Sequence, residues 1–407
     1  MNAADHPMKI LHVSSWFQPQ LGYSEYHLPL AQQNQGHTVA VLTSDRYFPF
    51  PEYDTTVKPL LGKRIVGSGQ REERGLNVTR LPVAFEYRHH LWLRGFERAL
   101  DQFAPDVVHT HEFFTPVALQ SALAKQRAPY TLVMTSSMEK EVFFPQSLPR
   151  RLYYQFHRRS FSKLLRERVD AFTAVGTGAR EIVSYVVGIP ADQIEVIPLG
   201  ADSTRFRFDA AARKEIRNQL GVTDETVVII YAGKLIAEKD IHVLVEAFAR
   251  LPTQLPATLI LLGNGSGSYV EQLRFLAQDA LDKIFFLPAV PNENLPPFFC
   301  AADVGVWPSQ SSNAAIEASL VGLPLIVCDD ESARHYVEAE NGLRFPRGDV
   351  SALSECLRRL VASPALRRQM AERGRAYMQS HRSWQTIAQR YLTLYLELPK
   401  EKTNRAI

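Results

Sequence analysis

The chain has 407 residues, of which 45% are hydrophobic and 22% charged, values typical of a folded protein with two or three domains. Its formal net charge of +3 is too small to indicate a nucleic-acid partner. Three widely separated cysteines, Cys300, Cys328 and Cys356, argue against a disulfide framework or a zinc site and favour a reducing compartment. We expect no signal peptide and no membrane span, and therefore a cytoplasmic protein.

Short apolar runs recur along the chain, each followed by a helical pattern. In the first half they lie at Ile10–Val13, Val39–Leu42, Val107–His109, Thr131–Met134 and Ala171–Val175. In the second half they lie at Val227–Tyr231, Thr258–Leu262, Ile284–Leu287, Val304–Trp307 and Leu325–Cys328. Apolar runs without alternation predict strands that are buried on both faces. The pattern therefore predicts an α/β protein with two parallel sheets of about five strands each.

Three further segments complete the predicted organisation. Residues Tyr47–Gly75 are rich in proline, glycine and charge and lack periodicity, which predicts a long loop, either functional or a neutral insertion. A break between the two sheets is predicted near Gly200–Asp209, and amphipathic helices at Ile241–Leu251, Ser351–Val361 and Ser383–Leu398.

Motifs along nearly the whole chain together resemble those of glycosyltransferase family 4, whose members are retaining enzymes with the GT-B fold. They are Lys9–Val13 with Gly22 and Gly36–Val39, DVVHTH at 106–111, EVIPLGAD at 195–202, GK at 233–234 with EK at 238–239, ADVGVWPS at 302–309, EA at 317–318 with GLP at 322–324, ENGL at 340–343 and SW at 383–384. Each motif alone is weak, and their order and spacing carry the resemblance.

The resemblance implies two Rossmann-like domains with an interdomain cleft and a C-terminal helix that returns to the first domain. We expect an acceptor-binding domain at 1–203, a donor-binding domain at 204–382 and the returning helix at 383–407. The implied reaction transfers a sugar from a nucleotide diphosphate-sugar to a glycan or lipid-linked acceptor, in cell-surface polysaccharide or glycolipid synthesis. The resemblance implies no metal or other cofactor, and the chain contains no Asp-x-Asp motif.

Lys234 and Lys239 follow a predicted strand of the second domain, at the sheet edge where ligands bind in open α/β folds. Two cations on one loop can clamp a diphosphate and stabilise its charge as it leaves, so both are candidate catalytic residues; a solvated lysine pair is the alternative. The family usually has arginine at position 234, so Lys234 keeps the charge without the planar fork.

The remaining candidate donor-binding residues follow from the resemblance. They are Gly22, Gly233, Gly263, Gly265, Val290, Ser311, Ser312, Asn313 and Glu317. Glu317 is expected to hold the ribose hydroxyls, although an exposed helix charge is the alternative. The polar stretch before the helix at 314–321 offers backbone N–H groups to an anion, and Ser312 or Asn313 can also act as the N-cap. The glycine loop at 263–267 lacks the dinucleotide-binding spacing and is expected to approach the nucleotide.

The sequence departs from the family pattern at three places. Ser309 stands where a glutamate that contacts the transferred sugar is expected, which leaves the donor sugar undetermined. The segment Thr135–Glu139 lacks an expected histidine, so acceptor binding is assigned to His111, Ser137 and Glu139. Tyr23 follows Gly22 where the family often has a second glycine.

His109 and His111 lie near the end of one predicted strand, and we expect them on opposite faces, one in the core and His111 at the site as a catalytic candidate. A zinc site from this pair alone is not expected, because a third ligand is missing.

The segment Arg150–Arg168 is basic and carries interleaved aromatic residues. It predicts either a helix that docks on an anionic membrane surface or a solvated helix packed by its aromatic side chains.

Two other functions fit the same fold. An epimerase or a phosphorylase is one, but neither the additional acid/base groups nor a cofactor lysine is visible. A catalytically degenerate protein that acts as a binding or scaffold partner is the other, suggested by the missing acidic residue at Ser309.

Overall fold

The computed structural model describes residues 7–138, 148–309, 312–330 and 333–398. Glu139, Gln310 and Ser311 lie outside these ranges, as do the side chains of Arg150 and Arg151. The chain divides into two compact units. The first contains Met1–Pro49, Lys63–Leu199 and Trp384–Ile407, and the second contains Phe50–Gly62 and Gly200–Ser383.

The first unit is built on an eight-stranded sheet. Its strands are β1 (Lys9–Ser14), β2 (Thr38–Ser44), β3 (Gly69–Glu73), β4 (Leu76–Leu81), β7 (Val107–His111), β8 (Thr131–Ser136), β9 (Ala171–Ala174) and β10 (Glu195–Val196). Their spatial order is β10-β9-β8-β7-β1-β2-β4-β3, and every neighbouring pair is parallel except β3 and β4. Two further strands, β5 (Val83–Tyr87) and β6 (His90–Leu93), form an antiparallel hairpin.

Helices cover both faces of this sheet. They are Ser24–Asn34, Phe96–Phe103, Pro116–Ala124, Leu148–Arg168, Thr177–Val183 and Trp384–Glu397, and a π-helical turn at Ser184–Gly188 follows the fifth of them. The C-terminal helix Trp384–Glu397 buries Trp384, Ile387 and Tyr391 in one core with Ile10 and Val107. This packing on the first unit confirms the predicted returning helix.

The second unit is built on a six-stranded parallel sheet. Its strands are β11 (Val227–Ala232), β12 (Ala257–Leu262), β13 (Ile284–Leu287), β14 (Val304–Trp307), β15 (Leu325–Cys328) and β16 (Gly342–Phe345), in the order β13-β12-β11-β14-β15-β16. Its helices are Tyr53–Thr56, Lys58–Leu61, Ala210–Gln219, Ile241–Ala249, Gly267–Leu276, Pro296–Ala301, Asn313–Val321, Val350–Ala362 and Pro364–His381. Strands β11, β12, β14 and β15 are buried throughout, which explains their apolar runs.

All ten predicted strands are present, and the two Rossmann-like domains are confirmed. One of the additional strands, β3, escaped prediction for a physical reason. It is the exposed edge strand GQREE, which has no buried face and therefore no apolar pattern. The expectation of a long loop at Tyr47–Gly75 is wrong for much of the segment, because it contains two four-residue helices and β3. Helices of one turn are too short to show a period.

Candidate donor and acceptor sites

The loop after β11 carries both candidate lysines, as the sequence predicts. Lys234 is the second residue after the strand, and Lys239 ends the 3-10 turn Ala237–Lys239 ahead of the helix Ile241–Ala249. Both side chains are half-buried. The Nζ of Lys234 lies 3.7 Å from the centroid of the Phe50 ring, a cation–π contact within the second unit. Burial and then the charge of Lys239 lower the pKa of Lys234 to about 8.

Gly263 and Gly265 pack against the backbone of this lysine loop. A Cβ atom at Gly263 would lie 1.8 Å from the carbonyl oxygen of Gly233, and one at Gly265 would lie 2.1 Å from that of Leu235. Leu235 and Gly265 form a parallel bridge, and the Leu235 N–H donates to the carbonyl of Asn264 at 2.9 Å. The glycines therefore position the lysine loop, a function that sequence reasoning missed. Nucleotide contact by either glycine stays a prediction.

Glu317 lies inside the helix Asn313–Val321 and is only 2% exposed, so it is not an exposed helix charge. Its Oε1 accepts a hydrogen bond from Nδ2 of Asn292 at 2.8 Å. Burial raises the pKa of Glu317 to about 8, against the lowering effects of the Asn292 hydrogen bond and the Arg205 charge. A buried carboxyl with a raised pKa and a single amide partner is typical of a ligand-binding position.

Ser309, which stands where the family pattern has glutamate, is buried at the end of β14. Its hydroxyl donates to the carbonyl of Glu238 at 2.9 Å and accepts from Nη2 of Arg347 at 3.1 Å. Nε of Arg347 in turn donates to Asp240 at 2.8 Å. Arg347 is therefore tied to both sides of Lys239, and sequence reasoning did not identify it.

The other donor candidates of the second unit lie on neighbouring loops. Val290 is half-buried beyond β13. Ser312 occupies the N-cap position of the helix Asn313–Val321 by its backbone angles, but its side chain makes no capping hydrogen bond. The Ser312 N–H donates to the hydroxyl of Tyr336 at 2.9 Å. Asn313 is the first helical residue, and Ser311 lies outside the described residues.

In the first unit, three histidines lie together beneath the carboxyl ends of β1 and β7. The rings of His109 and His111 stack with centroids 5.0 Å apart, so the expectation of opposite faces is wrong. Residues two apart on a strand share a face, and the prediction misapplied that alternation. Nδ1 of His12 lies 3.0 Å from Nε2 of His111, and His12 also pairs with Gln32 at 2.7 Å.

His109 belongs to the core of this cluster. It is fully buried, and its ring nitrogens pair with the hydroxyls of Tyr395 and Thr135. His111 is half-buried, which leaves it the better placed of the two for a ligand. Burial and the neighbouring rings hold the pKa of both well below its usual value, so both imidazoles are neutral at pH 7.

Sequence reasoning missed two carboxyl groups of the first unit, Glu112 next to His111 and Glu25, whose charge interacts with that of Glu112. Glu112 follows β7 with φ at +75°, an unusual value for a residue other than glycine. Its Oε1 accepts from the Ser137 N–H at 2.9 Å and from the Ser137 hydroxyl. Burial and then the charge of Glu112 raise the pKa of Glu25 to about 7. Both glutamates follow a strand or glycine turn at a sheet edge, a signal that was available in the sequence.

Gly22 lies just before the helix Ser24–Asn34, at φ +68°, where it ends the 3-10 turn Pro19–Leu21. This left-handed conformation explains the glycine, and contact with a donor phosphate stays a prediction.

Within the described ranges, no group of three or more His, Cys, Asp or Glu side chains is arranged to hold a metal ion. Over the same residues, no helix is both long and apolar enough to cross a membrane.

Two family models match the two halves of the chain. The model described as "Glycosyl transferase 4-like domain" matches residues 26–200, and the one described as "Glycosyl transferases group 1" matches residues 212–377. In structure, the chain is similar to HepE from Anabaena solved with UDP, with a TM-score of 0.75 and 19% identity over 96% of this chain and 100% of that one. The fold is thus GT-B, and the chain is a nucleotide-sugar-dependent glycosyltransferase.

The chain belongs to glycosyltransferase family 4, the group 1 glycosyltransferases. It is 28% identical to a D-inositol 3-phosphate glycosyltransferase from Xylanimonas cellulosilytica, over 74% of each chain. It is 29% identical to a GDP-mannose-dependent monoacylated alpha-(1-6)-phosphatidylinositol monomannoside mannosyltransferase from Corynebacterium glutamicum, over 70% of this chain and 75% of that one.

Proposed function

We propose that this glycosyltransferase retains the anomeric configuration of its donor and transfers the sugar to a glycan or glycolipid acceptor in cell-surface polysaccharide synthesis. The observation that carries the proposal is the second unit's combination of two loop lysines with the buried Glu317. The two lysines supply cations for a diphosphate, and Glu317 supplies a carboxyl for ribose hydroxyls. Together these groups match the two recognition needs of a nucleotide diphosphate.

In this proposal Lys239 and Lys234 bind the diphosphate and stabilise it as it leaves. Lys234 is half-buried against the Phe50 ring, where its charge is less screened by water than on an open surface. The helix Ile241–Ala249 begins two residues after Lys239, so its first N–H groups add a partial positive charge near the same anion.

The acceptor is assigned to the first unit, with His111 and Ser137 as candidate contacts. Glu112 fixes the backbone and hydroxyl of Ser137, and its Oε2 is buried without a hydrogen-bond partner among the described residues. An acceptor hydroxyl would satisfy that oxygen. The names of the relatives from Xylanimonas and Corynebacterium support a phosphorylated polyol or glycolipid as the acceptor class.

We also place the enzyme at the inner face of the cell membrane, through the helix Leu148–Arg168. Its side chains at Leu152, Phe156, Arg159 and Lys163 are exposed and repeat at helical spacing, which puts apolar and basic groups on one face. The opposite side is used for packing: Tyr154 contacts Phe114, and Leu165 is buried. Exposed apolar side chains beside cations fit an anionic bilayer surface.

The proposal is tested in two steps. Thermal unfolding with UDP, GDP and ADP identifies the base, since a ligand at about 100 times its Kd adds ~2.7 kcal/mol of stability. The corresponding nucleotide-sugar is then incubated with lipid-linked acceptors, and NMR of the product gives the anomeric configuration. Inversion would contradict the retaining mechanism, and no stabilisation by any nucleotide would contradict the assignment of the donor site.

A further inference from the structure

Arg347 lies beside the lysine loop of the second unit but plays no part in the proposed clamping of the diphosphate. It lies between β16 and the helix Val350–Ala362, and 41% of its side chain is exposed. Nε donates to Oδ2 of Asp240 at 2.8 Å, and Nη2 donates to the Ser309 hydroxyl at 3.1 Å. Nη1 makes no hydrogen bond to any described residue, so part of the guanidinium remains available to a ligand.

These contacts fix where the guanidinium lies. Asp240 directly follows Lys239, and Ser309 donates to the carbonyl of Glu238 on the other side of that lysine. Ser309 and Arg347 follow β14 and β16, whose carboxyl ends meet at the same edge of the parallel sheet as that of β11. The guanidinium is therefore held at the ligand-binding edge of the second sheet, next to the lysine loop.

The chemistry of this position is that of an anion receptor. An arginine held by two partners loses little side-chain freedom when it binds, and its planar N–H groups match paired oxygens of a carboxylate or phosphate. Ser309 is uncharged, so it forms no ion pair with the guanidinium. Its hydroxyl is shared between Arg347 and the Glu238 carbonyl. Asp240 balances one positive charge but engages only Nε.

We propose that Arg347 is a third cation of the donor site, which binds an anionic oxygen pair of the nucleotide-sugar. Two sources have this chemistry: a carboxylate on the transferred sugar, as in a nucleotide-linked uronic acid, or the phosphate that carries the sugar. The first makes Arg347 a determinant of sugar specificity. The inference rests on the proposed donor site in the second unit.

The test measures Kd by calorimetry for matched sets of ligands: UDP, UDP-glucose and UDP-glucuronate, and GDP, GDP-mannose and GDP-mannuronate. Arg347→Gln should raise Kd about tenfold or more for at least one set. If only the uronates lose affinity, Arg347 binds the sugar carboxylate. If UDP or GDP without a sugar loses affinity to the same extent, Arg347 binds the phosphate. Arg344→Gln is the matched control, because Arg344 is an exposed arginine near the same sheet edge that pairs with Asp329 at 3.2 Å.

A second variant separates binding from positioning. Asp240→Asn breaks the ion pair with Arg347 but leaves the guanidinium, and asparagine tolerates the left-handed backbone at this position, where φ is +52°. Binding by Arg347 predicts that Asp240→Asn keeps or improves anion affinity. If Asp240→Asn instead weakens binding as much as Arg347→Gln does, Arg347 only holds the loop and the inference is overturned.

Two further outcomes overturn the inference in distinguishable ways. Unchanged Kd values in Arg347→Gln, for ligands that the wild-type protein binds, overturn the inference alone. A wild-type protein that binds none of the six ligands, and none of the corresponding ADP ligands, contradicts the proposed function and the inference together. Melting temperatures of every variant, compared with wild type, show that the measured protein is folded.

Discussion

At the scale of single residues, Lys239 and Lys234 occupy one loop but different surroundings. Departure of the diphosphate moves negative charge onto the leaving oxygen, and a fixed cation there stabilises the transition state more than the ground state. We expect Lys239→Ala to lower kcat about 10²-fold or more, and Lys234→Ala to act mainly on donor Kd. Steady-state kinetics at saturating donor measures kcat, and calorimetry measures the donor Kd. Lys214→Ala, an exposed lysine of the same unit, is the control. Near-normal turnover in Lys239→Ala would show that the catalytic cation lies elsewhere.

Lys234 also predicts a pH dependence of donor binding. Its pKa is lowered to about 8 in the free protein, by burial first and then by Lys239. A bound diphosphate favours the ammonium form, so binding above pH 8 requires uptake of a proton. Through this group, affinity should change little up to about pH 7 and fall up to about tenfold between about pH 7 and pH 9. Calorimetry across this range measures it. Lys234→Arg should remove the dependence, because arginine stays charged. A slope that persists in Lys234→Arg would belong to another group.

Glu317 is expected to bind the donor ribose through its two carboxyl oxygens. Glutamine at this position retains one acceptor, and that acceptor can keep the hydrogen bond from Asn292. We therefore expect Glu317→Gln to weaken nucleoside diphosphate binding roughly tenfold, the size of about one hydrogen bond, with an unchanged melting temperature. Calorimetry compares it with Glu215→Gln, an exposed glutamate of the same unit. Equal affinities of the two variants would exclude the ribose role.

The sequence led to some of these residues and not to others, for identifiable reasons. Motifs of fixed spacing contain Lys234, Lys239 and Glu317, so the sequence alone predicted where these residues lie in the fold. Arg347 joins them through contacts with Asp240 and Ser309, which are 107 and 38 residues away in sequence. No local pattern indicates such a contact. The position of Glu112 directly after β7 was visible in the sequence, but its bond to Ser137 appears only in the folded chain.

At the scale of secondary-structure elements, the helix Leu148–Arg168 combines both alternatives that the sequence left open. One side packs through Tyr154 and Leu165, while the other exposes basic and apolar groups. We expect Arg159→Glu with Lys163→Glu to lower binding to vesicles containing phosphatidylglycerol at least tenfold, because each basic residue near an anionic surface contributes about 1 kcal/mol. Vesicle flotation measures the bound fraction.

The matched control for this helix is Arg359→Glu with Arg368→Glu, which changes the net charge equally on exposed positions of the second unit. Equal loss in the two double variants would indicate a general effect of net charge. Equal binding of the wild-type protein to neutral and anionic vesicles would remove the electrostatic interpretation.

Secondary structure was predicted correctly where the burial of an element gives its sequence a clear apolar pattern. The fully buried strands β11 and β12 are unbroken apolar runs, and the helix Val350–Ala362 has a clear apolar stripe with Leu353, Leu357 and Leu360 buried. Prediction failed for exposed or very short elements such as β3 and β10, where no apolar pattern forms. It also could not assign Phe50–Gly62 to the second unit, since that grouping depends on contacts such as Phe50 with Lys234 and Thr56 with Asn264.

At the scale of the whole molecule, the positive charge needed for chemistry is supplied by side chains of the second unit. Lys234 and Lys239 carry two formal charges against those of a diphosphate, and the helix Ile241–Ala249 adds its N-terminal dipole. Because these cations belong to the protein itself, we propose that the leaving group is stabilised without a divalent metal.

This expectation has a direct test in the wild-type enzyme. Sugar transfer measured after dialysis against EDTA should stay within about twofold of the untreated rate, because the cations that act on the diphosphate are covalently part of the chain. The lysine pair also limits how far a free metal ion can replace Lys239. Lys239→Ala assayed with and without added magnesium should show partial rescue at most, since a free metal–diphosphate complex lacks a preorganised site in which to be held. Activity that is abolished by the chelator and restored by magnesium or manganese would show that a metal, and not the lysine pair, neutralises the departing diphosphate.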